Sequence, residues 1–246
     1  MTPGGRPATT PYALLVGLPD RSRPLITHYA GPIARVELSV ASVANAVAKA
    51  AGLLRDGVGL APGALVSLDL PRHWQLPVWT MAALSVGCRC GRDLPGPVAV
   101  RVIGIDRLAA SPAAPDLFAA LAADDVLVSS CDAFGAPIPG GVAPGALDIG
   151  VEVRGYPDAF TPEPGAAQAA SVRTPAGDVA WLDLLEAGPA ATGSRLWVDE
   201  ATAEGELLVG TAVKPLLTGG SVVIATGLDR VQAERIRAAE GVSARA

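Results

Sequence analysis

The chain has 246 residues, half of them hydrophobic but only 4% aromatic, with 17% charged and a formal net charge of −5. That apolar content exceeds what a disordered chain carries, and the length suffices for one large domain or two small ones. The acidic balance, with lysine only at Lys49 and Lys214 and no basic stripe, excludes a nucleic-acid binder, which must line cations along phosphates. Residues 1–11 are rich in Pro, Gly and Thr rather than charged and then apolar, so no secretory signal is expected. The longest uncharged apolar run, residues 74–88, falls short of the ~20 residues of a membrane span. Three cysteines, an odd number without a signal peptide, predict reduced thiols and a cytoplasmic protein.

After a short opening segment at residues 11–17, residues 25–29 and 34–38 predict a hairpin around Gly31-Pro32. Ser39 is a good N-cap for a helix whose apolar face is Val40, Val43, Ala44, Val47, Ala51 and Leu54, ended by Gly57. Pro62-Gly63 turns into a strand at 64–70 that Pro71 stops. A helix at 74–86 follows, tolerating Pro77 only in its first turn. A strand at 98–105, a helix at 115–122 and a strand at 126–129 come next, with Asp124-Asp125 read as a solvated turn. Residues 133–144 form a Gly/Pro loop, 150–154 a strand, and 161–175 a long polar connection. A second run predicts a helix at 179–186, a strand at 195–198, a helix at 206–217, a strand at 221–226 and a helix at 230–239. This alternation predicts one α/β domain over residues 1–246, its mainly parallel sheet flanked by helices. Halves at 1–160 and 176–246, joined by the Pro-rich loop, are the alternative division.

Two stretches carry a family likeness. Glu37-Leu38-Ser39-Val40 with the helix after it, then Gly57-Val58 and Pro62-Gly63, a strand ending at Pro71 and the helix to Gly87 resemble the opening of the AMP-binding, adenylate-forming superfamily of acyl-CoA synthetases. Residues 209–223, with Pro215-Leu216-Leu217 and Gly219-Gly220 before an apolar strand, resemble the passage downstream of that family's phosphate loop. The chain thus resembles the N-terminal part of a synthetase large domain, in a small actinobacterial-type family. The resemblance implies a phosphate loop at residues 171–177, where synthetases carry a Ser/Thr/Gly-rich run ending in Pro-Lys-Gly. Here Arg173, Thr174 and Gly177 are the residues left to bind a nucleotide phosphate, Ala176 stands where the lysine should be, and Asp178 adds a repelling charge. The loop after residue 198 is acidic and lacks the family's histidine. The adenine segment, the Thr-Glu magnesium motif, the ribose-binding Asp and the catalytic lysine of the C-terminal domain find no counterpart.

The expected function is therefore a catalytically inactive synthetase-like binding or interaction module, with no catalytic residue, metal or cofactor beyond weak AMP or ATP binding. The alternative is an adenylate-, acyl- or CoA-binding protein that takes part in acyl activation with a partner chain. A parallel sheet cut short leaves an open edge, so a homodimer or a protein partner is expected there. Other patterns read more plainly. Gly188 to Gly193 has Walker spacing but no lysine and follows a helix. Cys88, Cys90 and Cys131 lack zinc spacing, even with His28 or His73 added. His73 flanks a helix start, and Trp74 and Trp79 read as core.

Overall fold

The computed structural model describes residues 9–109, 121–188 and 193–245, and its strands divide between two sheets. Helix α1 (Pro11–Gly17), capped by Thr10, leads into the predicted hairpin of β1 (Pro24–Ala30) and β2 (Ala34–Ser39). The Ser39 hydroxyl accepts the Ser42 N–H at 3.2 Å, so α2 (Val40–Gly52) starts where capping chemistry places it. Its end widens into an i to i+5 turn at Leu53–Gly57. Then come β3 (Leu65–Asp69) and α3 (Gln75–Val86), with Pro77 in the first turn of α3. β4 (Arg89–Gly91), β5 (Val98–Gly104), α4 (Ile105–Ala109), β6 (Ala123–Ser129) and β7 (Leu147–Asp148) follow. Beyond them lie α5 (Ile149–Glu152), α6 (Ala166–Ala169), β8 (Ser171–Thr174), β9 (Gly177–Ala180) and α7 (Trp181–Ala187). After β10 (Arg195–Val198), helical turns at Glu204–Glu206 and Val209–Val213 run into α8 (Lys214–Thr218). β11 (Ser221–Thr226), α9 (Arg230–Ala239) and β12 (Ala244–Arg245) complete the described chain.

Sheet one has the order β12-β10-β11-β1-β2 and sheet two β7-β6-β5-β3-β4-β8-β9. Among the described strands, only the hairpin pairs β1–β2 and β8–β9 are antiparallel. The parallel α/β expectation holds, but the expected single sheet does not: β3, β5 and β6 lie in sheet two, β10 and β11 in sheet one. The cause is legible in α3, whose residues are all buried. A helix apolar on every side must be covered on every side, and one sheet covers only one. α2 and α3 share a core with Ile26 of β1, Val222 and Ile224 of β11, Leu68 of β3 and Val102 of β5, so the helices fill the space between the sheets. Strand alternation supplies the outer layers. Val223 and Ala225 of β11 turn outward with Trp197 against Ala233 and Ile236 of α9, and Val126 and Val128 of β6 join a separate cluster with Ile103. Gly87 closes α3 in the left-handed region at φ 96°, and a Cβ there would lie 2.8 Å from the Ala166 Cα.

Several local expectations are corrected. Residues 150–154 are helical, not a strand: the Asp148 carboxylate accepts the Gly150 N–H at 2.8 Å and caps α5, and this outweighs the β preference of Val151 and Val153. The supposed polar connection 161–175 contains α6 and β8. The helix expected from residue 179 begins at Trp181, because Val179 pairs with Val172 in the β8–β9 hairpin. Asp124 and Asp125 lie inside β6. The three-residue strand β4 had no expectation at all. The helix expected at 115–122 falls mostly outside the described residues. No helix among the described residues is long and apolar enough to cross a membrane.

Candidate functional site at the carboxyl ends of the strands

In open parallel sheets, ligands sit in the crevice outside the strands' carboxyl ends. Here that crevice is a cleft of about 310 Å³ whose lining includes Arg92, Asp93, Arg173, Thr174, Pro175 and Glu204. Two of the three residues expected at the phosphate-loop position, Arg173 and Thr174, face it; Gly177 does not line it. Thr174 pairs with Gly177 across β8 and β9, so only Pro175 and Ala176 form the turn. A two-residue turn has no spare amides to wrap around a phosphate. The Ala176 N–H points to the Thr174 hydroxyl at 3.3 Å, and that hydroxyl donates to the Gly177 carbonyl at 2.9 Å. Pro175 rests on Gly205, where a Cβ would fall 2.1 Å from the Pro175 Cγ.

The charges of the hairpin cancel. Arg173 bonds Asp178, its cross-strand neighbour, through Nε and, at 3.1 Å, through Nη2, and Arg89 adds a bond at 2.9 Å. Arg173 first and Arg89 second hold the Asp178 carboxyl at about 2, so it is ionised. Asp178 thus neutralises the arginine expected to hold phosphate. Glu204 does the same for two more arginines: Arg72 Nη1 lies at 2.6 Å and Arg92 Nη2 at 3.0 Å. Arg92 also donates to the Leu70 carbonyl at 2.6 Å, and burial makes its proton easier to lose than usual. The Arg72–Glu204–Arg92 cluster was not legible in the sequence, because Glu204 lies more than a hundred positions from either arginine. It meets them only where the loop after β10 of sheet one reaches the carboxyl ends of β3 and β4 in sheet two.

His28 of β1 and His73, which follows β3, meet at the join between the sheets, their ring centroids 4.6 Å apart and planes at 75°. Both are buried, and burial holds His28 at about 4 and His73 at about 3, so both are neutral near pH 7. His73 Nδ1 accepts the Gln75 N–H at 3.3 Å, the helix-flanking role expected of it, while its Nε2 is buried without a partner. Trp79 is core, and half-buried Trp74 donates to the Ala133 carbonyl at 3.0 Å. Residues 189–192 of the Walker-like stretch lie outside the described residues. Among the described residues no three His, Cys, Asp or Glu side chains converge as metal ligands.

All three cysteines are free; Cys88 and Cys90 are buried and Cys131 half-buried. Burial pushes the Cys88 thiol to about 12 and raises Cys90 further, so neither forms a thiolate readily. A disulfide-exchange reagent should therefore label the native protein at Cys131 alone and all three thiols after denaturation. Rapid native labelling of Cys88 or Cys90 would contradict this placement.

Two mostly parallel sheets with helices between and outside them make this an α/β protein of the acyl-CoA synthetase fold. The structure superposes on the acyl-CoA synthetase of Brucella canis with a TM-score of 0.72 at 16% identity, over 98% of this chain and 48% of that one. It matches an anthranilate CoA ligase solved with anthranoyl-AMP at a TM-score of 0.64 and 15% identity, over 92% of this chain and 46% of that one. In sequence it is similar to a curated protein of Mycobacterium tuberculosis, 34% identical over 145 residues, covering 58% of each chain. No family model matches. The chain spans about half the length of the proteins it matches in structure, and at these identities the likeness defines the fold.

Proposed function

We propose that the chain is a catalytically silent protein on the synthetase fold, acting as a binding or interaction module. The observation that carries this reading is the β8–β9 hairpin: a two-residue turn, no lysine, and an arginine already bonded to Asp178. Acyl adenylation brings a carboxylate to the α-phosphate of ATP, and two anions approach only if cations and oriented N–H groups neutralise them. The hairpin supplies neither in free form. Purified protein with ATP, magnesium and a panel of short to long carboxylic acids is expected to release no pyrophosphate above background. Release that depends on the acid and disappears in Arg173→Ala would return the chain to the enzymes.

A second reading has one observation in its favour. The cleft beside Arg92 and Arg173 is the size of a small-molecule site, and the structurally similar anthranilate CoA ligase holds an acyl adenylate. In this reading the chain binds an adenylate, acyl group or CoA and takes part in acyl activation with a partner chain. A thermal-shift series with AMP, ATP and CoA separates the two readings, since a ligand at a hundredfold excess over its Kd adds about 2.7 kcal/mol. No shift with any of them leaves the interaction module.

A further inference from the structure

Two sheets have four edge strands, and among the described residues one of these is both long and bare. β12 and β7 have two residues each, and β9 has four, behind a turn seated on Gly205. β2 has six, bonded to β1 on one side and to no strand on the other. Ala34, Arg35 and Glu37 are exposed, and Ile33 in the turn before them is 91% exposed. A bare row of N–H and C=O groups is a template for another strand, and charged side chains usually guard it. The guards on β2 have opposite signs two residues apart, Arg35 and Glu37, on either side of Val36.

We propose that β2 pairs antiparallel with β2 of a second copy of this chain, about a two-fold axis through Val36. In that register Arg35 of each copy stands opposite the partner's Glu37, and Ala34 opposite the partner's Leu38. Moving the axis one residue either way sets arginine against arginine or glutamate against glutamate, and like charges directly opposite are destabilising. The charge pattern therefore selects both the partner and the register. Each side chain keeps an unused atom for the contact. Arg35 spends Nε on Glu240 and Tyr29 and Nη2 on Glu37, while Nη1 is unspent; Glu37 receives its bonds through Oε2, leaving Oε1. The two-fold closes the assembly at two copies and joins the two five-stranded sheets into one. An interface of one strand and a hairpin turn is small, so the dimer is weak and concentration-dependent.

This inference extends the interaction-module reading but fails separately from it, since pyrophosphate release does not depend on the association state. Sedimentation equilibrium from micromolar to millimolar concentration should show a monomer–dimer equilibrium. Glu37→Arg presents two arginines on the edge and Arg35→Glu two glutamates, so each variant alone should remain monomeric while an equal mixture forms heterodimers. Because Arg35 also bonds Glu240, folding of Arg35→Glu is checked by circular dichroism. If that variant fails to fold, hydrogen exchange of the wild-type amides at residues 34–38 decides, with slower exchange expected as concentration rises. Wild-type protein that stays monomeric throughout, Glu37→Arg that dimerises like wild type, or edge exchange independent of concentration each overturns the proposal.

Discussion

Replacing Asp69 with alanine is expected to cost about 3–5 kcal/mol of folding stability, because it strands a buried guanidinium. Asp69 is 2% and Arg101 8% exposed, and Arg101 Nη1 bonds the Asp69 carboxylate directly. Ser67 joins both, its hydroxyl donating to Asp69 at 2.9 Å and accepting from Arg101 at 3.0 Å. Asp69 also accepts the Asp93 N–H at 2.8 Å, while Arg101 donates to the carbonyl of Leu121 at 2.9 Å. The network thus fastens β3 and β5 to the loop that carries Arg92 into the cleft. Arg101→Met should cost a similar amount by leaving the carboxylate unpaired. The double variant should cost less than the two singles together, since one buried charge alone is worse than none. Urea unfolding of the four proteins measures the coupling; additive effects below about 1 kcal/mol each would refute it. The exposed pair Arg230–Glu234, with side chains 90% and 62% accessible, sets the contrast, and Glu234→Ala should change stability little.

Stability is also expected to fall steeply as the pH drops from 6.5 toward 4, and the histidine pair is the cause. An unfolded histidine titrates near 6.5, whereas burial holds His28 at about 4 and His73 at about 3 in the fold. Both folded values lie below the unfolded one, so the unfolded chain takes up protons first. The stabilisation is complete above pH 6.5 and is lost as pH falls toward the folded values. Each tenfold difference in proton affinity between the folded and unfolded chain is worth about 1.4 kcal/mol, so the pair together contributes on the order of several kcal/mol. Carboxylates act in a lower window. Burial pushes Glu240 upward, but bonds from Arg35, Tyr29 and Arg195 outweigh it and leave it at about 2, against 4.5 unfolded, so its contribution fades below pH 4.5. The interval between pH 6.5 and 4.5 therefore isolates the imidazoles. His28→Phe with His73→Asn, the asparagine keeping an acceptor for the Gln75 N–H, should flatten the urea midpoint across that interval. An unchanged slope in the double variant would remove the histidines as its cause.

Reach along the chain separates what the residues announced from what the fold had to decide. Ser39 before α2, Pro77 in the first turn of α3, Pro71 after β3 and the apolar strands at Arg195–Val198 and Ser221–Thr226 act over a few bonds, so capping, proline sterics and alternation were readable as written. The likeness of residues 36–87 and 209–223 to synthetases was legible for the same reason, and the matching fold agrees with it. The missing lysine at Ala176 was also plain. That Asp178 would cancel Arg173 rather than merely repel phosphate was not, since the cancellation needs β8 and β9 in register. The division into two sheets was decided by a helix needing cover on all sides, a demand a one-dimensional pattern registers only as hydrophobicity. Asp69 with Arg101, His28 with His73, and Glu204 with Arg72 and Arg92 each join residues more than thirty positions apart for at least one contact. Local preferences cannot encode such pairs. Asp69 meets Arg101 because β3 pairs with β5 within sheet two, whereas the histidines and the Glu204 cluster meet because burying α2 and α3 brings both sheets together, and an enclosed charge needs a partner.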